Sequence, residues 1–578
     1  MTSYTDEKQA QIVIALLKGH GVKHVIASPG TTNMAFVGSV QDDPYFRVYS
    51  AVDERSAAYM ACGLAAELGE PVVISCTGAT ASRNYMPGLT EAFYRKLPIL
   101  ALTSMQGRAR GGHHIAQVID RSTQPVDTVK LSVDLPVVKD AEDIWECEMK
   151  INRAILELTR QGGGPVHINL PTTYSRDFSL RQLPDYRLIN RWTPDDQALP
   201  ILAGRIGVFI GAHKTWTHEE TTALDRFCEF NDAAVFCDHT SGYYGKYRVL
   251  SALIGAQEGA DQSTVQPDVT IHIGELTGDY EVQPLIGKEV WRVSPDGEVR
   301  DTFRKLRHVF EMSEQRFFRL YSEGAPSTPN FFKTCKAALE EKRSRRPELP
   351  FSNLWLASQF AHRVPEGAVV HFAILNSLRA WNFFDLPEGV RAAANVGGFG
   401  IDGCMSSLIG ASLADPDRLF FLVTGDLAFF YDMNSLGSRH LGPNVRILLV
   451  NNGKGTEFTQ HGHLGSAFGE AANRFIAADG HFGQKSRDLV KGYADALGME
   501  YIAISDKQEA EAAAARLFSQ DQQTRPILVE AFVEAEDESQ ALKMIKNLDP
   551  SREHSVRQMA KGILGPAGIK AVKRLLGD

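Results

Sequence analysis

Short apolar runs alternate with longer amphipathic segments over most of the chain. Residues 25–27, 72–74 and 99–102 are apolar runs typical of buried strands. Residues 54–68, between the first two runs, carry their apolar positions at helical spacing. Strands that alternate with helices build βαβ units and parallel sheets. The pattern therefore predicts an α/β fold class with doubly wound parallel sheets.

The alternation falls into three blocks. Apolar runs at residues 166–170 and 527–531 close the first and third blocks, and both follow a proline, which makes these blocks similar. A polar stretch with three prolines and a basic stretch separate the blocks and read as linkers. We expect three doubly wound domains and a C-terminal tail, with the boundaries 1–182, linker 183–200, 201–340, linker 341–352, 353–536 and tail 537–578. Residues 569–576 in the tail have the pattern of a basic amphipathic helix, for which packing is favoured over a lid or a surface anchor.

Composition narrows the class of protein. The 578 residues are 43% hydrophobic and 23% charged, enough to bury a sizeable core, so the main body is not a disordered chain. A net charge of -9 does not favour nucleic acid or an anionic membrane as partner. Seven scattered cysteines without a Cys-x-x-Cys pair argue against a disulfide framework or a cysteine-built zinc site. No apolar run approaches 18 residues, and a cytoplasmic protein is expected.

Two strands of the third block end in oxygen-bearing side chains. The run 420–424 leads into Gly425, Asp426 and Leu427, and the run 447–450 leads into Asn451 and Asn452. Open α/β sheets bind ligands at the carboxyl ends of their strands. A carboxylate, an amide oxygen and a loop carbonyl suit Mg²⁺ that also holds diphosphate oxygens. An ordinary turn explains Gly-Asp alone, and the asparagine pair favours the binding site.

The first block contains a carboxylate at a strand-to-helix junction. Glu54 opens a helical segment rich in small residues, including Ala57, Ala58 and Ala61. An acidic residue in a first helical turn is commonly a partner of the helix dipole. Considered together with the strand ends of the third block, Glu54 is also a candidate functional carboxylate.

These features together resemble the thiamine diphosphate (ThDP) enzymes of the decarboxylase and acetolactate-synthase type. Within that superfamily the motifs are nearest to those of the SEPHCHC synthases of the menaquinone pathway, over about residues 8–535. The matching stretches are residues 28–30, 52–58, 376–378, 400–403 and 425–427, together with Tyr431, Asp432 and Asn434.

The resemblance implies two cofactors, ThDP and Mg²⁺, and a role for each matching residue. Glu54 would hydrogen-bond the aminopyrimidine ring and favour the imino tautomer, whose nitrogen removes the thiazolium proton. Asp426, Asn452 and the carbonyl of Lys454 would ligate Mg²⁺. Ile401 would hold the cofactor bent, with simple core packing as the alternative. The other cofactor-binding residues implied are Gly30, Thr77, Asn376, Gly425 and Leu427.

The resemblance also implies a homodimer or homotetramer with active sites at the subunit interface. In this superfamily the two cofactor-binding domains of one site come from different subunits.

The chain departs from the SEPHCHC synthase pattern where arginines are expected around anionic substrates. Thr31 and Thr32 follow Gly30 without an arginine, and Trp381 stands where another is expected. Bidentate arginine is the usual carboxylate clamp, so these changes predict different substrates. The substrate-facing candidates are Thr31, Thr32, Arg108, Gln117, Trp381 and His461.

Histidines in two loops offer proton transfer. His113 and His114 lie in a glycine-rich loop and resemble the proton-relay pair of pyruvate-decarboxylase-type enzymes. A solvated loop is the alternative. Glu457 stands one residue out of register with a glutamate that decarboxylases of the family carry. A zinc site at His461 and His463 is disfavoured because no third ligand is evident.

The sequence thus predicts a ThDP- and Mg²⁺-dependent enzyme that decarboxylates a 2-oxo acid and transfers the acyl-anion equivalent to an acceptor carbonyl. One alternative is a simple decarboxylase that releases an aldehyde, which His113, His114 and Glu457 would serve. Another is a non-catalytic protein of the ThDP fold with a role in assembly or regulation. An NAD-binding protein is disfavoured because no Gly-x-Gly-x-x-Gly follows a strand.

Overall fold

The computed structural model of the chain contains three parallel sheets flanked by helices. It describes residues 2–323, 330–521 and 523–548. The predicted α/β class with doubly wound parallel sheets is confirmed. The chain divides into two compact units, one of Met1–Asp196 with Asp296–Glu311, the other of Gln197–Pro295 with the chain from Met312 onwards. Among the described residues, no helix is both long and apolar enough to cross a membrane.

The first sheet has six parallel strands in the order β2-β1-β3-β4-β6-β5. Its strands are β1 (His24–Ala27), β2 (Arg47–Ser50), β3 (Val72–Thr77), β4 (Ile99–Gln106), β5 (Leu131–Asp134) and β6 (Val166–Thr172). Its helices are α1 (Lys8–Gly19), α2 (Met34–Val40), α3 (Glu54–Leu68), α4 (Thr80–Asn84), α5 (Met86–Tyr94) and α6 (Ala141–Glu157).

Helices cover both faces of this sheet because successive strand residues point to opposite sides. Val73 belongs to a buried cluster that includes Ile12 of α1 and Ile151 of α6. Ile74 belongs to a second cluster that includes Ala57 of α3 and Leu89 of α5. The continuous apolar run of β3 is thus explained by burial on both faces.

Seven strands follow in the middle of the chain: β7 (Asn190–Trp192), β8 (Ile206–Ile210), β9 (Ala234–Cys237), β10 (Arg248–Leu250), β11 (Val269–Ile273), β12 (Glu289–Ser294) and β13 (Leu306–Glu311). In the second unit the strands run in the order β10-β9-β8-β11-β12. In the first unit β13 pairs in parallel with β7, a strand inside the expected linker 183–200. The helices here are α7 (His218–Asn231), α8 (Ala252–Gly255), α9 (Glu314–Leu320) and α10 (Phe331–Ser344).

The third sheet has the order β15-β14-β16-β17-β19-β18, again with parallel pairs throughout. Its strands are β14 (Val369–Phe372), β15 (Arg391–Ala394), β16 (Phe420–Gly425), β17 (Val445–Asn451), β18 (Glu500–Ile504) and β19 (Ile527–Phe532). Numbered within each sheet, the first and third sheets have the same order, 2-1-3-4-6-5. The predicted similarity of the first and third blocks is therefore present in their winding.

The helices of the third block are α11 (Asn353–Phe360), α12 (Asn376–Trp381), α13 (Cys404–Ser412), α14 (Asp426–Asp432), α15 (Ala472–Phe475), α16 (Phe482–Lys485), α17 (Leu489–Ala496), α18 (Lys507–Leu517) and α19 (Ala535–Lys546). The last helix begins two residues before the expected start of the tail at 537, and its Glu538, Ala541 and Ile545 are buried. The amphipathic helix predicted at residues 569–576 lies outside the described residues. The domain boundaries stay a prediction.

Candidate active site

Small polar side chains meet where strands of the first sheet end. The Thr32 hydroxyl contacts the hydroxyl of Thr77, at the end of β3, and donates to the Ser104 carbonyl of β4 at 2.6 Å. A Cβ at Gly30 would lie 2.8 Å from the Cβ of Thr77, so this approach of two loops requires glycine. The structure thus brings together Gly30, Thr32 and Thr77, while Thr31 is exposed beside them.

Glu54 stands at the start of α3 without acting as its cap. The Asp53 carboxylate accepts hydrogen bonds from the backbone N–H of Ser56 at 3.0 Å and from its hydroxyl at 2.7 Å. Asp53 therefore satisfies the helix N-terminus. Glu54 is half-buried, and its neighbour Val52 is 80% exposed within the single chain.

The loop after β4 exposes the two predicted histidines. His113 and His114 are exposed, and His114 and Gln117 have left-handed backbone, with φ of 56° and 64°. A Cβ at Gly78 would lie 3.3 Å from the Gln117 carbonyl oxygen, so the backbone of Gln117 runs beside the end of β3. The side chain of Arg108 lies outside the described part of the structure. The proton-relay and substrate roles of this loop stay predictions.

A cavity of about 120 Å³ lies at the carboxyl edge of the third sheet. Its walls come from the segments that follow β14, β16 and β17 and from the first turn of α19. The sequence-predicted residues that line it are Asn376, Ile401, Gly425, Asp426, Leu427, Asn452, Lys454 and Glu457. Side chains separated by up to 81 positions in sequence thus meet at the edge where parallel sheets bind ligands.

Asp426 is a buried carboxylate without a cationic partner among the described residues. Its oxygens accept hydrogen bonds from the backbone N–H groups of Leu427 at 2.8 Å and Gly453 at 2.6 Å. Burial raises the pKa of Asp426 to about 6, against the lowering effect of these hydrogen bonds. A bound divalent cation would compensate the cost of burying this charge.

The loop after β17 supplies two further oxygens. The Asn452 side-chain oxygen accepts from the Lys454 N–H at 3.2 Å, and the Lys454 carbonyl accepts from the Thr456 N–H at 2.9 Å. Each oxygen keeps one lone pair, since carbonyl and amide oxygens have two. A left-handed glycine, Gly453 with φ of 83°, forms the turn between them.

The residues present fit the cofactor that the resemblance implies. One carboxylate, one amide oxygen and one carbonyl are hard oxygen donors of the kind that Mg²⁺ takes, with substrate phosphates and water as its other ligands. A Cβ at Gly425 would meet no atom within 4 Å, so the cavity beside it has room for an oxyanion. Ile401 is half-buried, packs against the core and also lines the cavity. This position is compatible both with holding the cofactor bent and with simple core packing.

Glu457 is the carboxylate of an ion pair that the sequence did not reveal. Arg379 of α12 donates to its two oxygens at 3.0 Å each, and both side chains are largely buried. Burial alone would lower the pKa of Arg379, but the Glu457 carboxylate outweighs it and holds that pKa above its usual value. No spacing in the sequence points to this pair, since Arg379 and Glu457 are 78 positions apart.

The Asn376 amide connects this pair to the loop after β17. In the orientation that satisfies both of its ends, its nitrogen donates to Glu457 at 2.5 Å and its oxygen accepts from the Thr456 hydroxyl at 3.0 Å. Thr456 also accepts from the Asn452 amide at 3.1 Å. The ion pair and the loop after β17 therefore share one hydrogen-bond network.

Two predicted substrate residues do not line the cavity. Trp381 is 1% exposed, and its ring centroid lies 5.6 Å from that of Phe372 in β14. His461 pairs with Glu258, with its Nε2 2.9 Å from a carboxylate oxygen. Their substrate roles stay predictions, and the structure places Trp381 in the core.

A second buried carboxyl group, Glu538 of α19, lines the cavity and was missed. It accepts from the Asn353 N–H at 2.9 Å, and burial raises its pKa to about 7, with the nearby Asp426 as a further cause. Nothing in the local sequence distinguishes it, because Glu536 and Asp537 precede it in the same helical turn.

Comparison with known proteins agrees with this geometry. Residues 7–124 match the family model described as thiamine pyrophosphate enzyme, N-terminal TPP binding domain, and residues 377–531 match that of the C-terminal TPP binding domain. The 2-succinyl-5-enolpyruvyl-6-hydroxy-3-cyclohexene-1-carboxylate synthase of Bacteroides fragilis is 31% identical over 564 residues, which cover 93% of this chain and 98% of the relative.

Two further relatives carry the same name. That of Bacteroides thetaiotaomicron is 29% identical over 579 residues, covering 93% of this chain and 98% of the relative. That of Desulfotalea psychrophila is 27% identical over 459 residues, covering 76% and 84%. Thiamine diphosphate is the cofactor of this family, and Mg²⁺ is typical of it. The chain belongs to the thiamine diphosphate-dependent enzymes, in the family of these synthases.

Proposed function

We propose that the protein uses thiamine diphosphate and Mg²⁺ to decarboxylate a 2-oxo acid and to transfer the remaining acyl unit to an acceptor carbonyl. The supporting observation is the set of Asp426, Asn452 and the Lys454 carbonyl around one cavity at the carboxyl edge of the third sheet. These three groups would hold Mg²⁺. Thiamine diphosphate supplies, when bound, the nucleophilic carbon and the electron sink for the loss of CO₂.

The reaction balances with one proton. A 2-oxo acid anion, an aldehyde acceptor and a proton give CO₂ and a hydroxyketone, with a new carbon–carbon bond in place of the carboxylate bond. Glu54 would exchange a proton with the aminopyrimidine ring of the cofactor. Because Asp53 caps α3, the Glu54 carboxyl group is available for that contact.

The ion pair of Glu457 supports transfer over release of an aldehyde. Release of an aldehyde needs an acid that gives its proton to the carbon left by CO₂. Glu457 accepts two hydrogen bonds from Arg379, so the guanidinium engages both of its carboxylate oxygens. A carboxyl group with both oxygens engaged by a guanidinium is poorly placed to protonate that carbon, and the acyl unit is left for an acceptor.

Replacement of Glu54 tests the proposal. We expect the Glu54→Gln enzyme to keep thiamine diphosphate binding, measured by tryptophan fluorescence. Its rate of CO₂ release should fall by about 100-fold or more, because the proton exchange is removed. Asp53→Asn is the matched control, an equally conservative change at the adjacent cap that should keep most activity. Full activity of the Glu54→Gln enzyme would overturn the mechanism.

A substrate panel identifies the reaction. The enzyme with thiamine diphosphate and Mg²⁺ is offered 2-oxo acids of different chain length and charge, and CO₂ is followed with and without an aldehyde acceptor. We expect a hydroxyketone by mass spectrometry. Because Thr31 and Thr32 stand where an arginine was expected, we expect little of the product named for the relatives. An aldehyde as the sole product would favour the simple decarboxylase, and no CO₂ from any acid would favour the non-catalytic alternative.

We propose further that the active form is a homo-oligomer. In the first unit, Val52, Tyr59 and Met60 next to Glu54 are 46–80% exposed. In the second unit, Leu464, Phe468 and Phe475 after the metal loop are 61–89% exposed. Large apolar side chains exposed in a group are typical of surfaces that a partner covers. A second copy of the chain is the partner that the resemblance implies.

A further inference from the structure

Among the residues that the structure describes, a buried arginine of the first unit has no hydrogen-bond partner for its guanidinium. Arg121 follows the histidine-containing loop and is 2% exposed. None of its three guanidinium nitrogens has a hydrogen-bond partner among the described residues. A buried charge without a partner is unfavourable, so buried arginines are normally paired.

The neighbours of Arg121 do not supply a negative charge. Its side chain lines a small cavity with Tyr85, Thr103, Gln124 and His167, between α5 and the strands β4 and β6. The nitrogens of His167 are engaged by the Thr103 hydroxyl at 2.7 Å and the Ser132 hydroxyl at 2.8 Å. Burial lowers the pKa of His167 to about 3, so this ring is neutral.

Arg121 stays positively charged at neutral pH despite its burial and the charged groups further away. Burial lowers the pKa of Arg121 to about 10, which keeps it protonated at neutral pH. Arg83, which also lines the cavity, adds positive charge. Asp134 acts on Arg121 at longer range, and its carboxylate accepts from the Asn169 amide at 2.6 Å. The Cys76 thiol is neutral because burial raises its pKa to about 12.

Tyr85 also lines the cavity, and its hydroxyl is buried beside the side chains of Cys76 and Ser28. A guanidinium and a phenol both donate, and the guanidinium cannot accept. The cavity measures about 10 Å³, which is the space of about one water-sized sphere. This volume excludes a carboxylic acid or a phosphate ester and admits a single atom.

We propose that this cavity is a binding site for one monovalent anion of halide size, with chloride as the expected ligand and the Arg121 guanidinium as its main donor. A chloride ion would neutralise the buried charge and accept several hydrogen bonds at once. A water molecule would accept hydrogen bonds and leave the charge unpaired. The site lies within the first unit and needs no oxidant or cofactor.

Bromide identifies the ion directly. Crystals of the full-length enzyme are grown with bromide in place of chloride, and anomalous differences are measured at the bromine absorption edge. We expect a peak within hydrogen-bond distance of the Arg121 guanidinium and no such peak in Arg121→Met. Absence of the peak in the wild-type enzyme, or an equal peak in Arg121→Met, would overturn the proposal.

A solution measurement gives an independent result. The unfolding temperature of the wild-type enzyme should rise with chloride concentration relative to gluconate at equal ionic strength, because a ligand that binds the native state stabilises it. The rise should be absent in Arg121→Met and kept in Arg83→Met, whose arginine lines the same cavity but donates to the Asp120 carbonyl at 3.0 Å. If Arg121→Met does not fold, the anomalous bromide peak and the chloride titration of the wild-type enzyme still test whether the site binds a halide. Equal unfolding temperatures in both salts would count against the site.

Discussion

At the scale of single residues, the Arg379–Glu457 pair sets the charge at one side of the cavity of the third sheet. Both side chains are 13–14% exposed, so solvent screens the pair only weakly. The same carboxylate also accepts from the Asn376 amide. Loss of either charge would leave the other buried without its partner, which is the costly situation for ion pairs.

A double-mutant cycle measures this coupling. We expect Glu457→Gln and Arg379→Met each to lower the free energy of unfolding by about 1–3 kcal/mol, less than a fully buried pair because some solvent reaches both groups. The double variant should lose less than the sum of the two, since no unpaired charge remains. Urea unfolding of all four proteins provides the numbers, and strictly additive losses would show that the pair contributes no coupling.

Asp279 gives the stability of the second unit a pH dependence. The residue is 1% exposed, and one of its oxygens has no hydrogen-bond partner among the described residues. Burial raises its pKa to about 8, with Asp238 and Glu281 as further causes. The folded protein therefore binds a proton at Asp279 that the unfolded chain releases near pH 4.

The sign of the effect follows from proton linkage. Because the folded pKa is raised, the stabilising contribution is fully present below about pH 4 and is lost as pH rises through about 8. Asp279→Asn imitates the protonated form and should gain unfolding temperature over the wild type progressively from pH 5 to pH 8. Calorimetry at fixed ionic strength is the measurement. A constant difference across this pH range would show that Asp279 does not titrate in this way.

Residues of the site could be predicted from the sequence where they follow the end of a recognisable strand. Asp426 and Asn452 each come two positions after the end of an apolar run, so the edge of the sheet could be inferred. Glu538 reaches the same cavity from a helix 112 positions after Asp426, where no local pattern signals a ligand. Arg379 lies two positions before the place where an arginine was expected, and the tertiary contact with Glu457 could not be read from spacing.

At the scale of elements, helix α3 depends on a close approach to α5. A Cβ at Gly88 of α5 would lie 2.4 Å from the Cβ of Ala58 and 3.0 Å from its backbone carbonyl carbon. Ala57, Ala58 and Ala61 of α3 are fully buried. The small residues predicted to allow close packing thus determine the position of the helix that begins at Glu54.

Substitution of one glycine tests this packing. Gly88→Ala should lower the free energy of unfolding by about 1–3 kcal/mol, because the added methyl group forces the two helices apart. Gly492→Ala in α17 is the control, since a Cβ there meets no atom within 4 Å, and it should be neutral or stabilising by up to about 1 kcal/mol. Thermal unfolding of both variants compares them. Equal stability of the Gly88→Ala protein and the wild type would contradict the close contact.

Elements with strong hydrophobic patterns were predictable, and short or polar ones were not. Strand β7 has three half-buried residues between prolines, so its sequence resembles a linker until its pairing with β13 is known. Helix α19 has a polar composition and buries one narrow face, and it was assigned to a tail for that reason. Both elements acquire their structure from partners distant in sequence.

At the scale of the whole molecule, subunit mixing tests the proposed oligomer. If Glu54 of one copy serves the Asp426 site of another, the inactive variants Glu54→Gln and Asp426→Asn should restore activity when their subunits are exchanged. Random exchange in a dimer yields about a quarter of the wild-type sites, because half of the dimers are mixed and each has one intact site.

The control separates exchange from simple addition of residual activities. The two variants are mixed at low temperature without prior unfolding or dissociation, which should give no recovery. Recovery that requires dissociation supports a shared site, and no recovery after verified exchange would show that one copy contains its whole site.

The common strand order of the first and third sheets has a consequence for redesign. In each sheet the chain leaves the first, third and fourth strands at the same edge, so the loops at these positions correspond in place though not in chemistry. Hydroxyl groups occupy them in one sheet, and a carboxylate and amides occupy them in the other. If residues 28–33 contact the substrate as proposed, a loop graft there should change which substrate is accepted while the cores of both sheets keep their sequence.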